Sequence, residues 1–173
     1  MKSFPQGEAS RMFFVYTKDF GLIRLQGQGI RKQISKLRFH LEDFSIVRFD
    51  LVKGRELWRP VTVEKISRLS SNIKTVGAIT SLVLRLCDLE ESNDPFFLDL
   101  KAGLMLLQEK NIDVATLEAV LVLRLLSHLG YVGAESLKSF ISPPLNEEVL
   151  APARQKLSFI IPMINETLKQ TSL

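Results

Sequence analysis

The sequence predicts an α+β protein in which a small closed β-barrel is followed by an all-α helical bundle. Hydrophobic and polar residues alternate in the first third, whereas after Glu64 hydrophobic residues recur at spacings of three and four. The chain has 173 residues, of which 46% are hydrophobic and 24% charged, and this suits an ordinary globular protein with one large domain or two small ones. We therefore expect a barrel domain over residues 1–64 and a helical domain over residues 65–173.

Four strands are expected in the first third, over residues 11–17, 22–28, 46–52 and 55–63. A break that contains glycine divides each pair, at Asp19-Phe20-Gly21 and at Lys53-Gly54, because glycine accepts the positive φ of a hairpin turn. Residues 29–38 form a polar, basic connection between the two pairs. Four or five short antiparallel strands are too few for an open sandwich and suit a closed barrel, which has no exposed edges.

Helices are expected over residues 72–89, 96–110, 114–129 and 134–141, and a last helical region begins at Asn146. Asp94 is expected to cap the second helix, with Pro95 at its first position. Asp113 should cap the third helix, and Gly130 should end it. These signals predict a bundle of helices joined by short connections.

The third helix is apolar almost all round, so it should run through the centre of the bundle. Its narrow polar strip consists of Thr116, Arg124, Ser127 and His128. We expect His128, one turn from the end of the helix, to be a packing or capping group and not a metal ligand. Pro143-Pro144 should break the short helix, and Pro152 and Pro162 should start, kink or divide the last helices.

The composition argues against several classes of protein. Cys87 is the one cysteine, so neither an intramolecular disulfide nor a cysteine-based zinc site is expected. The start MKSFPQGEAS has no apolar core of a secretory signal, and the longest apolar stretches fall short of a membrane span, so we expect a cytoplasmic protein. His40 and His128 lie in different halves, and a Gly-rich phosphate loop is missing, so we expect neither an enzyme nor a bound cofactor.

The positive charge is concentrated in the first third. Residues 1–64 contain twelve basic and seven acidic residues, a net charge of +5, whereas residues 65–173 carry a net charge of −1. The candidate DNA-binding residues of this third are Arg24, Arg31, Lys32, Lys36, Arg38, Lys53, Arg55 and Arg59. Basic side chains on strand connections can follow a phosphate backbone, so this segment is a candidate anion-binding surface; the alternative is a basic surface that only meets solvent.

Three aromatic residues are interleaved with the basic ones. Phe39, Phe44 and Trp58 could stack on nucleic-acid bases, or they could fill the barrel core. Strand alternation places Arg55 and Arg59 on one face of the last strand and Trp58 on the other. Trp58 is therefore not expected to serve the same surface as both arginines unless Pro60 marks a bulge.

Several runs resemble the N-terminal OB-fold of the bacterial recombination and repair family RecO. They are Gly7-Glu8-Ala9-Ser10-Arg11, Tyr16-Thr17-Lys18-Asp19-Phe20-Gly21, Gln28-Gly29-Ile30-Arg31-Lys32, Ser35-Lys36-Leu37-Arg38, and residues 52–58 with the sequence VKGRELW. Residues 123–131 resemble the central helix of that family's second domain, and residues 164–173 resemble its C-terminal end. The order and spacing of these runs make the resemblance more specific than any one of them.

The resemblance implies a non-catalytic mediator with an N-terminal OB-fold. Such a protein binds single- and double-stranded DNA, anneals complementary strands, and works with RecR to load RecA onto DNA coated by single-strand-binding protein (SSB). Within the matching runs, the implied DNA contacts are Arg31, Lys32, Lys36, Arg38, Lys53 and Arg55. The charge pattern adds Arg24 and Arg59.

The chain departs from the family pattern in three places. It begins almost at the Gly7-Glu8 motif, so the first strand of the barrel is expected to be missing or to lie upstream. Residues 132–144 contain no cysteine, so the family's zinc insertion is not expected. Arg124 is the one basic residue on the central helix that could receive the acidic tail of SSB; the alternative is that Arg124 pairs with an internal carboxylate such as Glu118 or Asp88.

Two functions from different classes follow from the sequence. The first is DNA binding and strand annealing in recombinational repair. The second is a structural adaptor whose helical bundle holds a protein partner and whose basic barrel binds RNA or no ligand.

Overall fold

Five strands are followed by six helices in the computed structural model, which describes residues 2–6, 8, 10–28, 30, 39–133 and 137–171. The strands are β1 (Lys2–Gln6), β2 (Ser10–Thr17), β3 (Gly21–Gly27), β4 (Ser45–Lys53) and β5 (Trp58–Arg68). The helices are α1 (Ile73–Leu86), α2 (Asp94–Leu106), α3 (Val114–His128), α4 (Lys138–Ile141), α5 (Glu147–Gln155) and α6 (Leu157–Gln170). This order confirms the predicted α+β class. None of these described helices has the length and apolar character that crossing a membrane requires.

The strands form one mixed sheet in the order β1-β2-β3-β5-β4. Neighbours are antiparallel except β3 and β5, which run parallel where Leu25 pairs with Trp58. The prediction of a closed, all-antiparallel barrel is therefore corrected: in the described residues the sheet is open, with β1 and β4 as its edges. The parallel pair arises because β4 and its connections separate β3 from β5 along the chain, and a period-two pattern carries no information on strand order.

A strand also precedes the Gly7-Glu8 motif, which corrects the expectation of a missing first strand. Lys2 to Gln6 pair with Phe14 to Ser10 of β2. Pro5 lies in this edge strand, where an absent amide hydrogen is tolerated. A five-residue strand with a proline has too weak an alternation to be recognised from the sequence.

The last strand begins later and ends later than predicted. Arg55 and Glu56 lie in the turn that joins β4 to β5, and the amide of Gly54 donates to the carbonyl of Leu57 across 2.9 Å. β5 then continues to Arg68, four residues beyond the expected domain boundary. The division into domains at Glu64 stays a prediction, and the change from strand to helix falls at residues 69–72.

The buried side chains form two groups. The sheet core consists of Phe13, Val15, Ile23, Leu25, Ile30, Leu41 and Trp58. The helical core is centred on α3, in which ten of the residues from Thr116 to Leu126 are buried. α3 packs against α1, α2, α4, α5 and α6, so the prediction of a central helix is confirmed.

The helix boundaries follow their capping residues. The side chain of Asn93, and not that of Asp94, accepts the hydrogen bond from the amide of Phe96, so α2 begins one residue earlier than predicted. Asp113 caps α3 as expected by accepting from the amide of Thr116. The last helical region divides at Lys156, and the prolines that were expected to divide it lie within α5 (Pro152) and α6 (Pro162).

The sheet and the helices are in direct contact. The ring of Tyr16 in β2 packs on that of Phe96 in α2, with ring centroids 4.8 Å apart. At the start of β3, a Cβ atom on Gly21 would lie 1.8 Å from the carbonyl oxygen of Glu91, and Gly21 also has a φ of +62°. Only glycine fits there, because the backbone of the segment between α1 and α2 packs directly against the backbone of β3.

Candidate nucleic-acid interface

Four of the eight candidate basic residues are described, and they meet where β3 and β5 run side by side. Leu25 of β3 pairs with Trp58 of β5, and Trp58 also pairs with Lys53 of β4. Arg24 precedes Leu25, and Arg59 follows Trp58. We call this set the basic junction; it consists of Arg24, Lys53, Arg55 and Arg59, with Trp58 between them.

The pleat of the sheet turns two arginines of the basic junction outward. Leu25 and Trp58 are buried in the sheet core. Because successive side chains of a strand point to opposite faces, Arg24 and Arg59 lie on the outer face, where both are exposed. Arg55 is exposed in the turn between β4 and β5, so it adds a third guanidinium at the end of the same strand pair.

The three arginines of the basic junction have no ion-pair partner among the described residues, in contrast to other cations of the sheet. Arg48 pairs with Glu64 at 3.0 Å, and Lys65 pairs with Glu42 at 3.0 Å. The hydrogen bond from Lys65 holds the pKa of Glu42 below its ordinary value. The outward arginines therefore have donors to spare for an external anion, and a guanidinium fits phosphate with two parallel hydrogen bonds.

Trp58 is the residue that joins the strands of the basic junction. It is 7% exposed, and its ring lies 4.4 Å from that of Phe20, centroid to centroid. Its Nε1 donates to Oε1 of Glu90 at 3.0 Å, and Nζ of Lys53 lies 5.5 Å from its ring centroid. Of the two roles predicted for Trp58, the geometry shows the core role, with the polar edge of the indole directed to the rim.

Glu90 is an acidic residue within the basic junction that the sequence did not indicate. Its Oε2 lies 2.5 Å from Nζ of Lys53. Hydrogen bonds from Lys53 and from Trp58 hold the pKa of Glu90 below its ordinary value, and the charge of Arg24 acts in the same direction. Glu90 lies 37 residues from Lys53 along the chain, so spacing gave no signal for this contact.

The other four candidate residues, Arg31, Lys32, Lys36 and Arg38, lie outside the described residues. The residues that flank this stretch are placed. Ile30 and Leu41 are both buried in the sheet core.

The two phenylalanines that could stack or pack differ in exposure. Phe39 is 59% exposed, which suits stacking on a base. Phe44 is half-buried and packs against the helical core, with its backbone at a φ of 56°. Phe44 thus has a packing role.

Arg124, the candidate for binding the acidic tail of SSB, is 1% exposed. Its Nε donates to the carbonyl of Phe140 at 2.7 Å, its Nη2 to the carbonyl of Pro143 at 2.6 Å, and its Nη1 to Oδ1 of Asp99 at 3.1 Å. The internal pair is therefore formed, but with Asp99 in place of Glu118 or Asp88. An acidic peptide finds no accessible donor on this side chain, so the geometry gives the tail-binding role no support.

His128 shares the same carboxylate. Its Nε2 lies 2.7 Å from Oδ2 of Asp99, which agrees with the prediction of a satisfied packing group. The sequence contained a signal for Asp99, because this residue is a lone acid within the apolar run FFLDL of α2. A lone acid facing a buried strip with one arginine points to an internal ion pair.

The described residues contain no group of three or more histidine, cysteine, aspartate or glutamate side chains placed to hold a metal ion. Two depressions are present in the described surface. A cleft of about 600 Å³ lies between the sheet and helices α1 and α2, and a groove of about 590 Å³ lies between α1, α3 and α6.

Several bacterial proteins named DNA repair protein RecO match part of the chain. The chain is 32% identical over 81 residues to the DNA repair protein RecO of Gloeothece citriformis, a match that covers 47% of this chain and 29% of that protein. It is 38% identical over 69 residues to the RecO of a Synechococcus strain, covering 40% of this chain and 24% of that protein. It is 32% identical over 95 residues to the RecO of Dehalococcoides mccartyi, covering 51% of this chain and 37% of that protein. No family model matches the chain. The matches span about a quarter to a third of the length of these relatives.

Proposed function

We propose that this chain is a member of the RecO family and a non-catalytic protein of DNA repair that binds DNA through the basic junction. The observation that carries the proposal is the group of three exposed arginines without an ion-pair partner among the described residues, on the part of the chain with a net charge of +5. Such a surface stabilises the complex with a polyanion such as DNA, because its side chains contact phosphates and because binding releases counterions from the DNA.

The chemistry of the basic junction favours sequence-independent binding. Its described basic groups are guanidinium and ammonium, which contact phosphate without distinguishing bases. Trp58 is buried and so does not offer its face to a base, whereas the exposed Phe39 can. We therefore expect nearly equal affinity for different base compositions and a strong dependence on salt.

We also propose that the sheet is an OB-fold opened between β1 and β4. The support is a five-stranded sheet whose two edges belong to β1 and β4 and whose inner face already surrounds a core. OB-folds are five-stranded, partly open barrels that bind oligonucleotides on the face of strands 2 and 3. Arg24 lies on β3, opposite Phe14 of β2, which is on that face.

Within DNA repair, we assign this protein to strand annealing and, together with RecR, to the loading of RecA onto DNA coated by SSB, in the cytoplasm. The family resemblance supports this role. We assign contacts with RecR and SSB to the helical part, because residues 65–173 carry a net charge of −1 and would neutralise little phosphate. Arg124 is not the tail-binding residue in this proposal, because its guanidinium is buried and each of its three nitrogens already donates a hydrogen bond within the protein.

Fluorescence anisotropy with a labelled single-stranded oligonucleotide at several salt concentrations tests DNA binding. Changing Arg24, Arg55 and Arg59 together to alanine should weaken binding and flatten the slope of log K against log salt by up to roughly 2, at about 0.7 per lost contact. The matched control changes three exposed lysines of the helical part, Lys74, Lys110 and Lys169, to alanine and should leave most of the slope intact.

Two results would contradict the proposal. Equal losses in the two triple variants would show that the contact does not pass through the basic junction. Binding that does not change with salt, or no binding, by the unmodified protein would favour the adaptor. A third variant has alanine at Arg31, Lys32, Lys36 and Arg38, which lie outside the described residues. The change in its salt slope measures how much these four residues contribute to DNA binding.

A further inference from the structure

The carboxylate of Glu90 lies within the basic junction and contacts two of its donors. Its Oε2 lies 2.5 Å from Nζ of Lys53, and its Oε1 accepts a hydrogen bond from Nε1 of Trp58 at 3.0 Å. An ammonium group and an N–H donor that converge on two oxygens are also the donors that phosphate takes. The protein thus places its own anion on the ammonium group of Lys53 and on the N–H group at the polar edge of Trp58.

Glu90 is held at this place by its backbone and not by burial of its side chain. It lies between α1 and α2, and its amide donates to the carbonyl of Leu22 in β3 at 2.8 Å. The preceding residue, Leu89, forms a bridge with the same Leu22. The side chain itself is 39% exposed, so the carboxylate can turn to solvent while its backbone stays in place.

We propose that Glu90 is an internal competitor of DNA phosphate, which DNA must displace from Lys53 and Trp58 before it binds the basic junction fully. This inference rests on the proposed DNA-binding function. The phosphate that replaces the carboxylate would take the hydrogen bonds of Lys53 Nζ and Trp58 Nε1, and Glu90 would move into solvent.

The competition discriminates between kinds of anion. An exposed ion pair contributes little to stability, so the Lys53–Glu90 contact can open without unfolding the protein. A single phosphate gains only the two donors that it takes from Glu90. A polynucleotide also contacts the outward arginines and releases counterions, so it displaces Glu90 where a small anion does not.

Replacing Glu90 by glutamine tests this competition, because the amide keeps the shape of the side chain and removes its charge. Glu90→Gln should raise the affinity for a single-stranded oligonucleotide about two- to fivefold, the range of an exposed ion pair. The salt slope should stay nearly the same, since Lys53 contacts a phosphate in both complexes once Glu90 has been displaced. The control Glu91→Gln removes the same charge from the neighbouring exposed residue, whose side chain forms no hydrogen bond or ion pair among the described residues, and should have a smaller effect.

A double-mutant cycle separates this contact from a general change of charge. In a Lys53→Gln background, Glu90→Gln should lose most of its effect, because the donor that it liberates is gone. The emission of Trp58, the one tryptophan of the 173 residues, gives a second readout. It should change when oligonucleotide is added to the unmodified protein, and Glu90→Gln should change it before any DNA is added.

The outcomes distinguish this proposal from the proposed function. If Glu90→Gln and Glu91→Gln bind equally, or if the full gain persists in the Lys53→Gln background, Glu90 is not a competitor although DNA binding stands. If neither the unmodified protein nor any variant binds DNA with a dependence on salt, the proposed function is rejected together with this inference. Circular dichroism melts of each variant establish that the comparison is between folded proteins.

Discussion

At the scale of single residues, a buried ion pair joins helices α2 and α3 to α4 and to the segment that follows α4. Arg124 connects Asp99 of α2 with the carbonyls of Phe140 and Pro143, and His128 shares Asp99. Burying a guanidinium is costly unless all its strong donors are used, and here three of its nitrogens have partners. This network explains how a charged residue lies in the most apolar helix of the chain.

Arg124→Met should therefore lower the free energy of unfolding by about 3 kcal/mol, because Asp99 and two carbonyls lose their partner. Urea denaturation measures this change. His128→Gln, which leaves the contact between Arg124 and Asp99 in place, should cost less than about 1 kcal/mol. Equal costs for the two variants would show that the guanidinium is not the organising group of the network.

At the scale of elements, two helical glycines have opposite surroundings. Gly103 of α2 faces α3, and a Cβ there would lie 2.4 Å from a Cδ of Leu121. Gly77 of α1 has room, since the atom nearest to a new Cβ is Cζ of Phe44 at 3.9 Å. The close approach of α2 to α3 thus depends on Gly103, whereas α1 tolerates a larger residue.

Gly103→Ala should destabilise the protein by about 1–3 kcal/mol, because the added methyl group overpacks the contact between α2 and α3. Gly77→Ala should stabilise it by about 0.5–1 kcal/mol, because alanine loses less backbone entropy in a helix. Thermal melts of both variants give the comparison. A stabilising Gly103→Ala would mean that α2 and α3 can move apart at little cost.

At the scale of the whole molecule, two weakly acidic side chains, the phenol of Tyr16 and the thiol of Cys87, lie where the sheet meets the helices. Burial, and then the nearby thiol of Cys87, raises the pKa of Tyr16 above its ordinary value. Burial, and then the charge of Asp88, raises the pKa of Cys87 to about 12. Both groups stay neutral in the folded protein at a pH at which the unfolded chain would release their protons.

The stability of the molecule should therefore fall as the pH rises. A raised pKa contributes stability fully below the unfolded value and loses it as the pH rises toward the folded value, so the decline should begin at about pH 9. Urea midpoints between pH 7 and pH 11 measure it, followed by Trp58 emission for the sheet and by circular dichroism for the helices. Tyr16→Phe and Cys87→Ala should each flatten the decline, whereas Tyr131→Phe, at an exposed tyrosine, should not.

A decline that these two variants leave unchanged would place the titrating groups elsewhere. The two signals should also share one midpoint at each pH, because Tyr16 packs on Phe96 and Gly21 holds the segment of Glu91 against the sheet. Separate midpoints would show that the sheet and the helices unfold independently.

Local signals in the sequence predicted most elements of the fold. Period-two alternation and glycine breaks located β2, β3, β4 and most of β5, and spacings of three and four located the helices. The capping side chain of Asp113 and the position of α3 in the centre of the bundle followed from composition along one helix. The resemblance to the RecO family was also visible in short runs, because these runs keep their order along the chain.

The sequence by itself determined the α+β class, the segregation of positive charge and the central apolar helix, because each depends on neighbours within a few residues. Only the tertiary structure decided the parallel pairing of β3 with β5, the contact of Arg124 with Asp99 and the position of Glu90 on Lys53 and Trp58. These contacts join residues 25 or more positions apart, and many pairings of charges and strands are compatible with one pattern of hydrophobic residues. Tertiary packing selects one of these pairings, because it determines which hydrogen-bond donors and acceptors are removed from water next to each other.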